Sequence, residues 1–163
     1  MSDADFAEYA RAAAPRLRRT AFLLCHDWHL AQDFTQTTLA KLFVHWRRIQ
    51  RRDSPDAYAR KVLLRVFLDH QRRSSSRELV VEHIAEAEAP QDQPELRLTL
   101  LEAMGRISVR DRAILVLRYW EDQSVETVAD LLGISTGTVK TQSARGLTRL
   151  RRLLGTEEFA LHD

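Results

Sequence analysis

Lys140, Thr141, Ala144 and Arg145 are the residues whose types and spacing most clearly suggest chemistry. At about 100° per residue they share one helix face with Thr148, Arg151 and Arg152. Lysine and arginine can donate to guanine O6 and N7, and threonine and alanine can meet a thymine methyl. From Ile134 to Leu154 there is no acidic residue. An ordinary solvated face mixes both signs of charge, so this face predicts a helix lying in the DNA major groove. A second cluster, His26, Asp27, His29 and Asp33, has metal-ligand residue types. It comes with no phosphate loop and no paired nucleophile and base. These four read as exposed helix-end residues, and we expect no metal, no cofactor and no enzyme activity.

The cationic face needs a support, and the stretch Ser124–Leu154 supplies one. A first helix is expected from Ser124, a suitable N-cap with Glu126 in the first turn, to about Leu132. Gly133 is the residue most easily left-handed at a helix end. Ile134 fills the corner and Ser135 caps the next helix. Ala129, Gly133 and Val139 stand at helix-turn-helix spacing: a small residue, a turn glycine and a buried aliphatic. On the second helix Val139, Ser143, Leu147, Leu150, Leu153 and Leu154 form the inner stripe. Gly146 beside it permits a close approach.

The rest of the chain reads as all-α: two small helical domains joined by a flexible acidic linker. The first domain, 1–74, holds helices from Asp5 to about His26, from Leu30 to about Ile49, and from Pro55 to about Arg73. Pro15 is expected to kink or divide the first. Ser54 can cap the third and Pro55 suits its first turn. Trp46 and Cys25 read as core. Residues 75–93, serine-rich and then acidic, read as the linker. The second domain, 94–155, adds a helix from Glu95 to Ile107 and one capped by Ser108, with Asp111 as its capping-box acid. Residues 156–163 form a tail.

The 163 residues carry a net charge of only +2, but its distribution is uneven. Lys41–Arg77 and Lys140–Arg152 are basic and Glu78–Glu95 is acidic, so two places can touch phosphate. Cys25 is the single cysteine, which excludes a disulfide framework. No signal peptide or membrane span is apparent, so a cytoplasmic protein without membrane contact is expected.

Two helical domains in this order resemble a bacterial sigma factor of the sigma-70 family. The short extracytoplasmic-function (ECF) type, which keeps only regions 2 and 4, is the nearer match, and the pattern looks most like actinobacterial members. For region 2 the resemblance rests on RLRRTAFLLCHDWHLAQDFTQTTLAKLFVHW and SPDAYARKVLLRVFLDHQRR. For region 4 it rests on ISVRDRAILVLRYWEDQSVETVADLLGISTGTVKTQSARGLTRLRRLL. The resemblance implies promoter-specific initiation with core RNA polymerase, bound through its β′ clamp and β flap. Promoter DNA is the second partner, and an anti-sigma protein, which the family often has, is a further candidate. Region 4 would read the −35 element through Gly137, Thr138, Lys140, Thr141, Ala144 and Arg145. Arg118 and Arg149 would meet phosphates. Region 2 would read the −10 element through a loop, Gln50, Arg51, Arg52, Asp53 and Ser54, and a helix bearing Tyr58, Lys61, Arg65 and Asp69. Asp33 and Gln36 match the polymerase-docking helix, 31–46. Gln32 and Thr37 stand where the family often has acids, and Arg65 replaces a common asparagine. The rival reading is a helix-turn-helix regulator without sigma activity. It would need a sensing or phosphoacceptor domain, and the first 74 residues show no strand-rich pattern of that kind.

Overall fold

The computed structural model describes residues 3–52, 54–87 and 99–155 of the chain, with the side chains of 50–52 and 75–87 outside the description. Its contacts divide the chain into two units, Met1–Arg77 and Glu78–Asp163. All regular structure among the described residues is helical, in agreement with the all-α expectation.

Unit 1 opens with α1, Asp3–Cys25, and α2, Trp28–Val44. Pro15 lies inside α1 but does not divide it. The two helices pack along each other, burying Leu17, Ala21 and Leu24 against Ala31, Phe34 and Leu42. Asp27 is the N-cap of α2: its carboxylate accepts from the His29 and Leu30 N–H groups at 2.8 and 3.1 Å. One member of the candidate metal cluster is thereby committed to a helix end. Cys25 is half-buried rather than core, and its thiol donates to the Asp27 carbonyl at 3.3 Å.

The second helix was expected to continue to Ile49. Instead α2 stops at Val44, His45 turns, and a short α3 follows over Trp46–Arg52. The break turns the Trp46 ring onto α1, where it lies 5.3 Å from Phe6 and 5.2 Å from Tyr9. Trp46 is only 7% exposed, as a core residue should be.

Helix α4 starts at Pro55, as the capping signal predicts, and the Ser54 carbonyl accepts from the Tyr58 N–H at 3.2 Å. It packs on α2 through Phe34 and the fully buried Phe67. Its first turn is braced to α1: Tyr9 and Arg16 both donate to Asp56 Oδ1, at 2.9 and 2.6 Å. The Arg16 guanidinium, with help from Tyr9, holds the Asp56 carboxyl below the usual carboxylate range. Helix α4 runs to Ala87, beyond the expected end near Arg73. The first part of the expected linker is thus helical backbone, and 88–98 lie outside the described residues.

Unit 2 contains α5, Leu100–Arg106, α6, Val109–Leu115, α7, Val125–Leu132, and α8, Thr136–Leu154. Helix α5 starts later than expected. Thr99 caps it, and Glu102 reaches back to the Thr99 N–H in a full capping box. Ser108 caps α6 by accepting from the Asp111 N–H at 3.2 Å. The Asp111 carboxylate does not return to the cap, because it pairs instead with Arg145. One π-helical turn, Val116–Trp120, continues α6. Ile107, Ile114, Leu117, Val128, Val139 and Leu150 are buried together and form this unit's core.

Candidate nucleic-acid interfaces

The helix-turn-helix is built from local signals that act as the sequence predicts. Ser124 Oγ accepts from the Thr127 N–H at 3.0 Å and starts α7. Gly133 ends it with φ of 67°, and the Ile134 N–H closes the turn on the Ala129 carbonyl at 3.0 Å. Ser135 Oγ accepts from the Thr138 N–H at 3.0 Å and starts α8. Ala129 and Val139 are both buried at the crossing.

Helix α8 is seated by Val139, Ser143, Gly146, Leu150 and Leu154, all buried. A Cβ on Gly146 would lie 3.0 Å from Leu115 Cδ1, 3.3 Å from Leu115 Cγ and 3.6 Å from Asp111 Cβ. The missing side chain is therefore what lets α8 lie directly on α6. The opposite face carries Gly137, Lys140, Thr141, Ala144, Arg145, Thr148, Arg149 and Arg152, all exposed.

Three of the expected contacts carry internal commitments that the sequence did not reveal. Thr138 Oγ1 shares a hydrogen bond with Ser135 Oγ at 2.8 Å, so its hydroxyl belongs to the cap as well. Arg118 donates to the Gln123 carbonyl at 2.7 Å and stacks its guanidinium over Tyr119, fixing the loop ahead of α7. Arg145 donates through Nε and Nη2 to both oxygens of Asp111, at 3.0 and 2.8 Å. That carboxylate raises the pKa of the guanidinium above its ordinary value. Arg149 is exposed on the same helix.

In unit 1, Tyr58, Lys61 and Arg65 project from successive turns of α4. They line a concavity of about 400 Å³ together with Val62, with Lys41 of α2 and with His45 at its C-terminal end. Lys41 and His45 were missed because nothing local in the sequence joins them to α4; the packing of α2 and α4 brings them there. The concavity has cations on both walls and a half-buried tyrosine ring, which suits a single strand with an unstacked base. Asp69 does not line it and forms an ion pair with Arg72. Gln50, Arg51 and Arg52 belong to α3 rather than to a loop. Asp53 and the side chains of 50–52 lie outside the described residues, and Ser54 is exposed.

Asp33 and Gln36 are both exposed on α2, beside Gln32 and Thr37. Earlier on the same helix the Trp28 ring, half-exposed, stacks on Phe22 at 3.9 Å under the Arg18 guanidinium. Among the described residues no group of His, Cys, Asp and Glu could hold a metal ion. None of the helices described is long and apolar enough to cross a membrane.

A helix-turn-helix with an acid-free reading face, and a separate helical unit with a basic groove, define a two-domain, all-α nucleic-acid-binding protein. Comparison with known proteins narrows the class. Residues 10–77 match the family model for sigma-70 region 2, and residues 103–152 match that for sigma-70 region 4. The chain is 34% identical to the RNA polymerase sigma-E factor of Streptomyces coelicolor over 92% of its own length and 86% of that protein's. It is 29% identical to the ECF RNA polymerase sigma factor SigE of Mycolicibacterium smegmatis, over 90% of this chain and 60% of that one. Its fold is similar to the sigma factor RpoE in a co-crystal structure with the anti-sigma factor NepR from Bartonella quintana. The TM-score is 0.72 at 24% identity, covering 94% of this chain and 98% of that one. The chain belongs to the sigma-70 family of RNA polymerase sigma factors, within the ECF type.

Proposed function

We propose that this sigma factor selects promoters by dividing the reading between its two units. Helix α8 enters the major groove of the −35 element, where Lys140, Thr141, Ala144 and Arg145 meet base edges and exposed Gly137 lets the backbone come close. Arg149 contacts phosphate and so positions without specifying. The α2–α4 groove takes the −10 element as a single strand, with Tyr58 as its stacking surface and Lys41, Lys61 and Arg65 on the backbone. The α2 face bearing Asp33 and Gln36 docks on core RNA polymerase. The observation that carries this reading is the exposed, acid-free face of α8 on a complete helix-turn-helix.

Two substitutions test the region 2 assignments. Lys61→Ala removes one cation from the groove without touching the core. Each phosphate neutralised on a single strand contributes about 0.7 to the slope of log affinity against log salt. Holoenzyme carrying Lys61→Ala is expected to bind a −10 single strand with a slope shallower by about that amount. A slope unchanged from the parent would remove Lys61 from the interface. Asp33→Arg reverses the charge at an exposed helix position, so the fold is expected to survive. If Asp33 meets a basic polymerase surface, like charges then oppose each other across the interface. Titration with core enzyme should show affinity reduced about tenfold or more, with an unaltered circular-dichroism melt. Full affinity would place the docking surface elsewhere.

A further inference from the structure

We infer that Asp111 is a positioning residue for −35 recognition, acting through Arg145; this rests on the base-reading role of Arg145 proposed above. The two residues are 34 positions apart in sequence and meet as a side-on, two-point pair. Asp111 is fixed from three directions. Its N–H is bound by Ser108 Oγ. Its Cβ lies under the bare backbone of Gly146. Its side chain is only 8% exposed, whereas that of Arg145 is 60% exposed. The carboxylate is a buried anchor and the guanidinium stands above it in solvent.

The geometry decides which donors remain. A guanidinium has five N–H groups in one plane. Asp111 takes the Nε–H and one Nη2–H, which form the side edge. The second Nη2–H and the parallel Nη1–H form the end edge, and that edge stays available. Two parallel donors are what guanine presents O6 and N7 to in the major groove. Asp111 therefore does not compete with the base contact. It sets the plane and direction of the fork before DNA arrives, so less side-chain freedom is lost on binding. The pair has the two-point geometry that can also contribute to folding, and its carboxylate is buried, so the fold must be read separately from selectivity. The positioning effect should appear in selectivity.

The test uses holoenzyme containing the parent chain, Asp111→Asn, Arg145→Ala or both changes, and promoters varied one base pair at a time across the −35 element. Arg145→Ala identifies the position it reads by a loss of about ten- to a hundredfold in preference for guanine there. Asp111→Asn is expected to reduce preference at that same position by about tenfold, to leave the other positions unchanged, and to add nothing once Arg145 is alanine. Hydrogen exchange in α6 and α8 checks the fold. Should asparagine disturb it, Asp111→Ser removes the carboxylate without added bulk. Preference retained within about twofold in the Asp111 variants, or an equal change when Arg145 is already alanine, overturns the inference while leaving the reading of Arg145 intact. Preference unaltered by Arg145→Ala overturns that reading and takes the role of Asp111 with it.

Discussion

Gly146→Leu is expected to unseat α8 from its unit and abolish −35-dependent transcription. Position 146 is buried on the inner side of α8, and even a Cβ would sit 3.0 Å from Leu115 Cδ1. Leu115 cannot simply retreat, since it is 3% exposed and lies in one run with fully or nearly fully buried Ile114, Val116 and Leu117. Forcing added methylenes into such a core costs about 1–3 kcal/mol, and a whole leucine side chain belongs at or beyond the top of that range. Gly146→Ala calibrates the effect. Alanine gains about 1 kcal/mol of helix propensity over glycine but displaces Leu115 by a few tenths of an ångström, so a change within about 1 kcal/mol is expected from the two opposing contributions. The readout should be local, because a chain with two units has no single unfolding free energy. Hydrogen exchange should show lost protection in α6 and α8 of the leucine variant and parent-like protection in α1 and α2. A leucine variant with α8 still protected would mean that the α6–α8 contact can open without loss, and that Gly146 is not what seats the reading helix.

The helix-turn-helix was legible because its determinants are local. Ser124, Gly133 and Ser135 each act on backbone groups within a few residues, so their types alone place two caps and one turn. Thr99 carries the same kind of signal: T-x-x-E ending at Glu102 is a capping box that could have placed the start of α5 at Leu100. Gly146 announced a close approach but not its partner, because Leu115 comes from another helix. The Asp111–Arg145 pair was hidden for the same reason. Read locally, Asp111 looks like a capping acid, and only the crossing of α6 and α8 diverts its carboxylate. In unit 1 the apolar spacing runs on through His45 with neither glycine nor proline to mark a stop. The break coincides with the packing of Trp46 on Phe6 and Tyr9, contacts from another helix that no local signal announces. The α2–α4 groove joins residues from two elements, and no local pattern in the sequence pairs Lys41 and His45 with Tyr58, Lys61 and Arg65.

The isolated chain is expected neither to open a promoter nor to bind one selectively, and core polymerase should restore both. The described cations at each reading surface are few. On α8 they are Lys140, Arg149 and Arg152, with Arg145 partly neutralised by Asp111. In the groove they are Lys41, Lys61 and Arg65. Three or four phosphate contacts give weak binding that falls steeply with salt, since each adds nearly one power of salt concentration on duplex DNA. Opening the −10 element also requires unstacking and unpairing, at about a few kcal/mol for a flipped base. A groove with three cations and one half-buried tyrosine does not offset that cost against an intact duplex. A large partner changes the balance by holding both units on one promoter at fixed separation, so that the second contact is made at high effective concentration. A regulator acting by itself would behave in the opposite way and protect its site without polymerase. Footprinting and permanganate reactivity at physiological salt separate the two. With core enzyme, both elements should be protected and thymines near the −10 element should become reactive. With the chain alone, neither signal should appear. Selective protection and melting by the isolated chain would show that its two units suffice, and that polymerase follows the opened promoter instead of making the opening possible.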